Sequence, residues 1–549
     1  MTRLVPLLVV LTLIAAGCGG NQQPPGEQDD AAAGGEFAAY ICEPRALTPG
    51  NANDTCSDEV LSTVFSRLID YDTANTANPI LMGEAAPRAH AQSITSADQQ
   101  TWTITLKAGW TFHDGTPVTA QSYVDAWNYS ASAPNAQNNA SFFENIAGYE
   151  DLQCGAGAQG TPDCTGSPPA SPRMSGLRAV DDTTLEVRLS APFSQFPLTL
   201  GYTAFLPLPA RFFADPKAFN EAPIGDGPFQ IEGSWNHNQG IRVVRYPRYA
   251  GKPAAAAAVN FQIYANLETA FTDLVGGDLD VMDRTPRSQI PTAAQQLDGR
   301  FERFPGSGMT YLDFPTYNPR FADPNLRKAF SMAIDRKALT DTVKPDSVPA
   351  DSFVSPVVTG YRRGACGESC RFDPVRARQL LAQAGGWEGE LVLWFNSDGD
   401  HATWMEGLAN QLRTNLGIQS IRFEAPLFAD LLDRERDRGI NGPFRSAWAM
   451  DYPSPQNYLQ PTFGTGGSSN YSFYTNPAFD EALREGNAAG SISAGLASYQ
   501  RAEDMLIQDL PGIPLFFDVF PASWSPRVDN VRVDAFERMD LADIVVKEP

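Results

Sequence analysis

The amino-acid sequence predicts an α/β protein with two or three domains. Strand-like and helix-like patterns alternate along most of the chain, which is typical of α/β folds. The folded part is expected to begin near residue 36 and is about 510 residues long, which is too much for one compact core. Hydrophobic residues make up 42% of the sequence and aromatic residues 11%, so the composition is globular.

The first half of the chain contains two strand patterns and one helix pattern. Residues 101–106 and 184–189 alternate polar and apolar side chains, as half-buried strands do. A helix is expected over residues 119–129, because Thr119 offers a capping hydroxyl shortly after Pro117.

The second half of the chain has clear helix start and stop signals. Asp373 and Pro374 are start signals, because Asp caps the first turn and Pro suits the first helical position. Gly417 is a stop signal. In order, the predicted elements are helices over residues 326–342 and 374–384, a strand over residues 390–396, a helix over residues 403–416 and a strand from residue 418.

The N-terminus has the pattern of a secretory signal peptide. The apolar run over residues 4–16 is too short to cross a hydrocarbon layer of ~30 Å. Small residues directly precede Cys18, as in a bacterial lipobox. We therefore predict a lipoprotein signal peptide over residues 1–17, a lipidated Cys18 and a flexible tether over residues 18–35. Ordinary signal-peptidase cleavage beside a chance cysteine is the alternative.

The cysteines agree with export to an oxidising compartment. The sequence has 7 cysteines, and those other than Cys18 form three close pairs. This spacing predicts three short-loop disulfides. The pairs are Cys42 with Cys56, Cys154 with Cys164, and Cys366 with Cys370. A metal site is the weaker interpretation, because the 4 histidines are scattered.

Charge and motifs favour a binding protein over a nucleic-acid partner or an enzyme. The formal net charge of −23 argues against binding to nucleic-acid phosphate backbones and to anionic lipid surfaces. No nucleophile elbow, zinc-protease motif or phosphate-binding loop occurs. Residues 155–160 match a dinucleotide-binding glycine pattern, but no strand precedes them, so a surface loop is expected. We predict no cofactor and no metal.

One cluster carries chemical information. Trp448 and Tyr452 flank Asp451, and two prolines follow. A carboxylate between aromatic rings suits an ammonium group, which is attracted by the charge and tolerated by the ring faces. In the alternative interpretation both aromatics are core residues and Asp451 only caps a turn.

The order of further segments resembles the peptide/nickel-type solute-binding proteins of ABC transporters, which include the oligopeptide- and dipeptide-binding proteins. The match extends from about residue 60 to residue 518. The six resembling segments are residues 106–120, 225–229, 277–280, 323–336, 372–385 and 502–515.

The resemblance implies a two-lobed, type II periplasmic-binding-protein-like fold with an extra domain inserted in lobe I. The lobes of such proteins close over a ligand by hinge motion. The implied division is 36–68, 197–309 and 516–549 for lobe I, 69–196 for the inserted domain and 310–515 for lobe II.

The resemblance also implies a ligand site. Asp451 corresponds to the aspartate that holds the α-amino group of a peptide. The backbone of Ala447 and Ala449 corresponds to the strand edge that bonds the peptide main chain, and Trp448 would wall a side-chain pocket. The remaining implied contacts are Tyr452 and, from lobe I, the loop of Asn53, Asp54 and Thr55.

The predicted function is that of an extracytoplasmic, lipid-anchored binding protein of an ABC importer. It would capture short peptides with a free amino terminus and deliver them, as a monomer, to the permease in the membrane. Two alternatives stay open: a non-peptide ligand such as a nickel chelate, haem or an oligosaccharide, and a lipoprotein of envelope assembly without a transport role.

Overall fold

A computed structural model describes residues 34–72, 79–156 and 163–547. The predicted signal peptide, Cys18 and most of the predicted tether lie outside the described residues. So does most of the glycine-rich segment over residues 155–160.

The strands of the described part form four sheets. The largest has eleven strands, and a separate antiparallel sheet has four. In chain order the strands are β1 Glu36–Ile41, β2 Asp70–Tyr71, β3 Ile80–Leu81, β4 Ala91–Thr95, β5 Thr101–Leu106, β6 Leu177–Asp181, β7 Thr184–Arg188, β8 Phe229–Ile231, β9 Gly240–Arg245, β10 Ala258–Ile263, β11 Val281–Met282, β12 Phe301–Asp313, β13 Ser347–Pro349, β14 Leu391–Trp394, β15 Ile421–Glu424, β16 Phe444–Trp448, β17 Gly512–Trp524, β18 Val528–Asp529 and β19 Val545–Val546.

Many helices begin at a polar side chain that accepts a bond from the first turn, including Asp54, Asn266 and Asp373. Within the described ranges, no helix is long and apolar enough to cross a membrane. In chain order the helices are α1 Thr55–Val64, α2 Ala120–Ala131, α3 Phe196–Thr199, α4 Ala210–Ala214, α5 Pro216–Glu221, α6 Leu267–Gly276, α7 Ile290–Gln296, α8 Pro324–Met332, α9 Arg336–Thr342, α10 Pro374–Gln383, α11 Ala402–Leu416, α12 Phe428–Arg436, α13 Pro455–Phe463, α14 Pro477–Asn487 and α15 Ile492–Asp509.

Two long strands join the two halves of the large sheet. Its order is β15-β14-β16-β12-β17-β11-β1-β10-β9-β8, so β12 and β17 lie between the C-terminal strands and the N-terminal strands. Each has 13 residues, and they pair antiparallel. Their register shifts between Pro305 and Met309, which interrupts the ladder at the centre of the molecule.

Two large hydrophobic clusters lie on either side of these crossing strands. The first is built mainly from residues before 310 and contains Trp127 and Phe205. The second is built mainly from residues after 308 and contains Trp404 and Tyr458. The predicted domain boundaries remain predictions, because core composition alone does not fix where a domain begins or ends.

One predicted helix is two helices. The expected helix over residues 326–342 is interrupted between α8 and α9, where Asp335 caps α9 by accepting a bond from Ala338. The buried Arg336 side chain donates from Nε to the carbonyl oxygen of Pro514 at 2.8 Å, which ties α9 to β17. Apolar positions continue through the break, so periodicity could not reveal it. The strand expected from residue 418 begins later, at Ile421.

Three disulfides are present, and they are the pairs that proximity in the sequence predicted. Cys42 is bonded to Cys56, Cys154 to Cys164, and Cys366 to Cys370. The first bridge joins the end of β1 to the first turn of α1, directly beside the loop predicted to face a ligand.

Candidate ligand-binding site

Asp451 lies directly after β16, and its carboxylate is held by one buried amide. Asn457 Nδ2 donates to Asp451 Oδ2 at 2.9 Å, and the Asp451 backbone N–H donates to Asn457 Oδ1 at 2.8 Å. Burial raises the pKa of Asp451 to about 6, and the bond from Asn457 opposes that rise. Among the described residues, none donates to Oδ1 of Asp451 and no cation lies within 4 Å of its carboxylate.

The predicted aromatic neighbour Trp448 is tied to the same amide. Trp448 Nε1 donates to Asn457 Oδ1 at 3.3 Å, and its half-buried ring packs against the second cluster. Sequence reasoning missed Asn457. It lies in the first turn of α13, directly after Pro455, in a segment for which the sequence analysis predicted no helix. An asparagine near a helix start is also an ordinary surface residue, so it carried no signal of its own.

The strand β16 has one open edge. It pairs antiparallel with β12 over five residue pairs, including Ala447 with Thr310. On the other side it pairs with β14 only through Phe444. Beyond Phe444, the second edge of β16 meets no strand in the part of the chain that the structure describes, and Ala447 and Ala449 are exposed there. An unpaired edge offers main-chain donors and acceptors to an added strand.

Tyr452 has a packing role in this structure, and the ligand contact predicted for it stays a prediction. Its ring is 8% exposed and belongs to the first hydrophobic cluster, whereas Trp448 belongs to the second. Its hydroxyl donates to Gln456 Oε1 at 2.5 Å. Tyr452 therefore fixes the segment that carries Asp451 against the other half of the molecule.

A second polar contact joins the two halves close to this segment. The Ser454 hydroxyl donates to Gln195 Oε1 at 2.9 Å, and both side chains are buried. The position of Asp451 is therefore defined from both sides of the crossing strands.

Tyr202 lies between the predicted contributions of the two halves. Its ring stacks on Phe142 with 4.2 Å between the centroids. Burial raises the pKa of Tyr202 well above its usual value, and the negative charges of Asp451, Asp58 and Asp54 act in the same direction. The structure thus brings Asp451 and the Asp54 loop within electrostatic range of one tyrosine, which the sequence reasoning did not single out.

In the predicted loop of the N-terminal half, Asp54 has a structural role. Its Oδ1 accepts the Ser57 backbone N–H at 2.9 Å, which caps α1, and its Oδ2 accepts the Ser57 hydroxyl at 2.6 Å. Asn53 and Thr55 on either side are exposed. The backbone contacts that the resemblance implies for this loop stay a prediction.

Arg445 is a second residue that sequence reasoning missed. It lies on the same face of β16 as Ala447, two residues away. No carboxylate of the described residues lies within 4 Å of its guanidinium group, and its Nε has no hydrogen-bond partner among them. Burial lowers the pKa of Arg445, while the charge of Asp518 opposes that change. Arg445 is thus a cation without a direct ion pair among the described residues, on the strand that precedes Asp451.

The described residues contain no group of three or more His, Cys, Asp or Glu side chains placed to hold a metal ion. Two cavities, of about 360 and 450 Å³, are lined around Arg67 and around Phe219, and neither includes residues 445–452. Asp451 and the open edge of β16 therefore lie outside both of these cavities.

Comparison with known proteins identifies the family. Residues 87–470, more than half of the chain, match the family model described as bacterial extracellular solute-binding proteins, family 5 Middle. This chain belongs to family 5 of the bacterial extracellular solute-binding proteins. The expected family is thereby confirmed.

Curated relatives match this family 5 protein over most of its length. The periplasmic murein peptide-binding protein MppA of Escherichia coli (strain K12) is 26% identical over 86% of this chain and 86% of its own. The oligopeptide-binding protein OppA of Bacillus subtilis (strain 168) is 24% identical over 94% of this chain and 93% of its own.

A solved structure confirms the type II fold. The unliganded open form of the murein tripeptide-binding protein MppA has a TM-score of 0.77 and 23% identity, covering 94% of this chain and 98% of the other.

Proposed function

We propose that this family 5 protein is the extracytoplasmic substrate-binding lipoprotein of an ABC importer and captures short peptides with a free amino terminus. The observation that carries the proposal is the combination of Asp451, which has a free carboxylate oxygen, with the open edge of β16. The carboxylate recognises an ammonium group, and the strand edge recognises any peptide main chain.

Arg445 supplies the matching group for the carboxyl end. Six residues separate it from Asp451 along an extended segment, which corresponds to at most about 20 Å. An ammonium group at Asp451 and a carboxylate at Arg445 would therefore be the two ends of a peptide of about six residues or fewer. The printed names of the curated relatives, murein peptide-binding and oligopeptide-binding protein, support the same ligand class.

The remaining parts of the proposal concern placement and closure. Cys18 would carry the lipid, and residues 18–35 would tether the folded part to the outer face of the membrane. The lobes would be 36–68, 197–309 and 516–549 for lobe I and 310–515 for lobe II, with 69–196 inserted. The ligand would lie between the lobes, which β12 and β17 connect. The closed complex would present both lobes to the permease.

Native mass spectrometry of the purified protein tests the ligand class directly. We expect co-purified peptides that are released by mild unfolding. Their affinity is then measured for a tripeptide library in three forms: unmodified, N-acetylated and C-amidated. The N-acetylated form should bind at least about tenfold more weakly, because it leaves the Asp451 carboxylate buried without its partner. The C-amidated form should be weakened less, because Arg445 stays partly hydrated.

Equal affinity for the unmodified and N-acetylated libraries would contradict the proposal. If a metal chelate, a haem or an oligosaccharide co-purifies in place of peptides, the proposed peptide ligand is wrong. The proposed role as a binding protein would still hold. An Asp451→Ala variant removes the proposed partner of the amino terminus from the protein. This variant should bind the unmodified and N-acetylated libraries with equal affinity.

A further inference from the structure

Asn457 makes three hydrogen bonds that converge on the proposed amino-terminus site. Its Oδ1 accepts from the Asp451 backbone N–H at 2.8 Å and from Trp448 Nε1 at 3.3 Å, and its Nδ2 donates to Asp451 Oδ2 at 2.9 Å. These partners determine the orientation of the amide, because a flipped amide would place its N–H₂ group against two donors. Asn457 is 3% exposed, so water does not replace these bonds.

The Asn457 amide makes the two carboxylate oxygens of Asp451 unequal, because it bonds only one of them. Oδ2 is engaged by Asn457, while Oδ1 accepts no bond from any of the described residues. An ammonium group that approaches Asp451 can therefore bond Oδ1. The orientation of Oδ1 is fixed because the buried Asn457 amide holds Oδ2. Such a supporting contact holds a recognition group in its productive geometry.

Among the residues that the structure describes, no cation faces Asp451 and would keep it ionised. The charge of Asp451 acts on Tyr202 from the N-terminal half, on Tyr452 in its own segment and on Tyr458 of α13. All three are neutral phenols with pKa values raised by burial. The bond from Asn457 is thus the contact that opposes the burial of the Asp451 charge.

We infer that Asn457 is a positioning residue for peptide capture, holding Asp451 oriented and charged so that its free oxygen receives the amino terminus. The inference rests on the proposed function and assigns a role within the same site. The class of ligand it selects is one with a primary ammonium group, since a neutral end gains nothing from a charged Asp451.

The test compares wild type, Asn457→Ala and Asn457→Ser between pH 5 and pH 8. Binding of the unmodified and N-acetylated tripeptide libraries is followed by intrinsic tryptophan fluorescence and by calorimetry. For the unmodified library, wild-type affinity should fall as the pH drops through about 6, where Asp451 becomes protonated. Without the amide, the midpoint should rise by about one pH unit, which lowers affinity about twofold at pH 7 and about tenfold at pH 5. Binding of the N-acetylated library should change less than about twofold.

Asn470→Ala is the matched control. Asn470 is also a buried asparagine of the C-terminal half, and its Nδ2 donates to two backbone carbonyls at 2.8 Å away from Asp451. It should lower thermal stability without moving the pH midpoint. If Asn457→Ala does not fold, Asn457→Ser, which keeps an acceptor but cannot reach both partners, carries the comparison.

The outcomes distinguish the proposed recognition of the peptide amino terminus from the proposed role of Asn457. If wild type itself does not distinguish the libraries, peptide-terminus recognition fails. If wild type distinguishes them and both Asn457 variants retain its pH midpoint and affinity ratio, the role of Asn457 is overturned. An equal loss for both libraries would also overturn it, since that result indicates general damage to the binding surface.

Discussion

At the scale of the residue, burial of the Asp451 charge lowers the folding stability of the empty protein, and the proposed ligand would offset that cost. Its carboxylate is half-buried and has a single bond from a neutral amide. Burial raises its pKa from 3.8 to about 6, so ionisation in the folded state is less favourable than in the unfolded chain. A ligand ammonium group would supply the missing charge. The residue thus trades folding stability for recognition.

We predict that Asp451→Asn stabilises the ligand-free protein in a pH-dependent way. Below pH 3.8 the carboxyl is neutral in both states, so the variant and wild type should be equally stable. As the pH rises through the window from 3.8 to 6, the wild-type carboxylate becomes charged at the expense of stability, and the variant does not. The difference should reach about 2–3 kcal/mol at pH 8.

Urea unfolding of both proteins at pH 4 and pH 8 measures this difference. Asn keeps an oxygen that accepts the bond from Asn457, so packing is retained. A stability difference that is the same at both pH values would show that burial of charge is not the cause.

At the scale of the element, the glycine-rich turn over residues 225–227 is shaped by the end of α1. A Cβ atom on Gly225 would lie 1.8 Å from the carbonyl oxygen of Val64. The Gly227 backbone N–H donates to that oxygen at 2.9 Å, and Asp226 Oδ1 accepts the Ser66 N–H at 2.9 Å. The turn therefore packs against the C-terminus of α1, and the N-terminus of α1 directly follows the loop proposed to face the ligand.

Gly225→Ala is expected to destabilise the protein by about 2–4 kcal/mol, because a backbone carbonyl cannot move aside as a side chain can. Chemical denaturation at pH 7 gives the measurement. The control is Gly490→Ala, since a Cβ atom on Gly490 meets no heavy atom within 4 Å. Similar stabilities for the two variants would mean that the turn and α1 are not closely packed in solution.

At the scale of the whole molecule, one sheet connects both halves through β12 and β17. Two hydrophobic clusters lie on either side, and the ladder is irregular where the strands cross. Such an arrangement permits the halves to rotate while each keeps its own core. The tether proposed for residues 18–35 would let the whole body meet its permease without leaving the membrane.

The anchor is tested with Cys18→Ser in the full chain expressed in a bacterial host. Wild type should incorporate an alkyne-labelled fatty acid and partition into the detergent phase, because stable anchoring requires acyl chains on the N-terminal cysteine. Cys18→Ser should lose both properties. A double Cys154→Ser, Cys164→Ser variant removes cysteines without touching the anchor and should remain labelled. Labelling of Cys18→Ser would disprove the assignment.

Local signals in the sequence were sufficient for much of the fold. Thr119 marks the start of α2, Asp373 and Pro374 mark the start of α10, and Gly417 ends α11, because caps and stop residues act through neighbours in the chain. The break between α8 and α9 was missed because apolar positions continue through it, although Asp335 is a local capping residue there. The bond from Arg336 to the distant carbonyl of Pro514 could not be read from the sequence.

For the proposed site, the sequence by itself indicated the family and the segment that contains Asp451. Asp451 between two aromatic residues is a pattern in consecutive positions, so it can be read without a structure. Only the tertiary structure decided that Tyr452 is buried, that Asn457 bonds Asp451, that Arg445 Nε has no hydrogen-bond partner among the described residues, and that β16 has an open edge. Those facts depend on burial, side-chain direction and strand pairing between segments far apart in the chain, which local patterns do not encode.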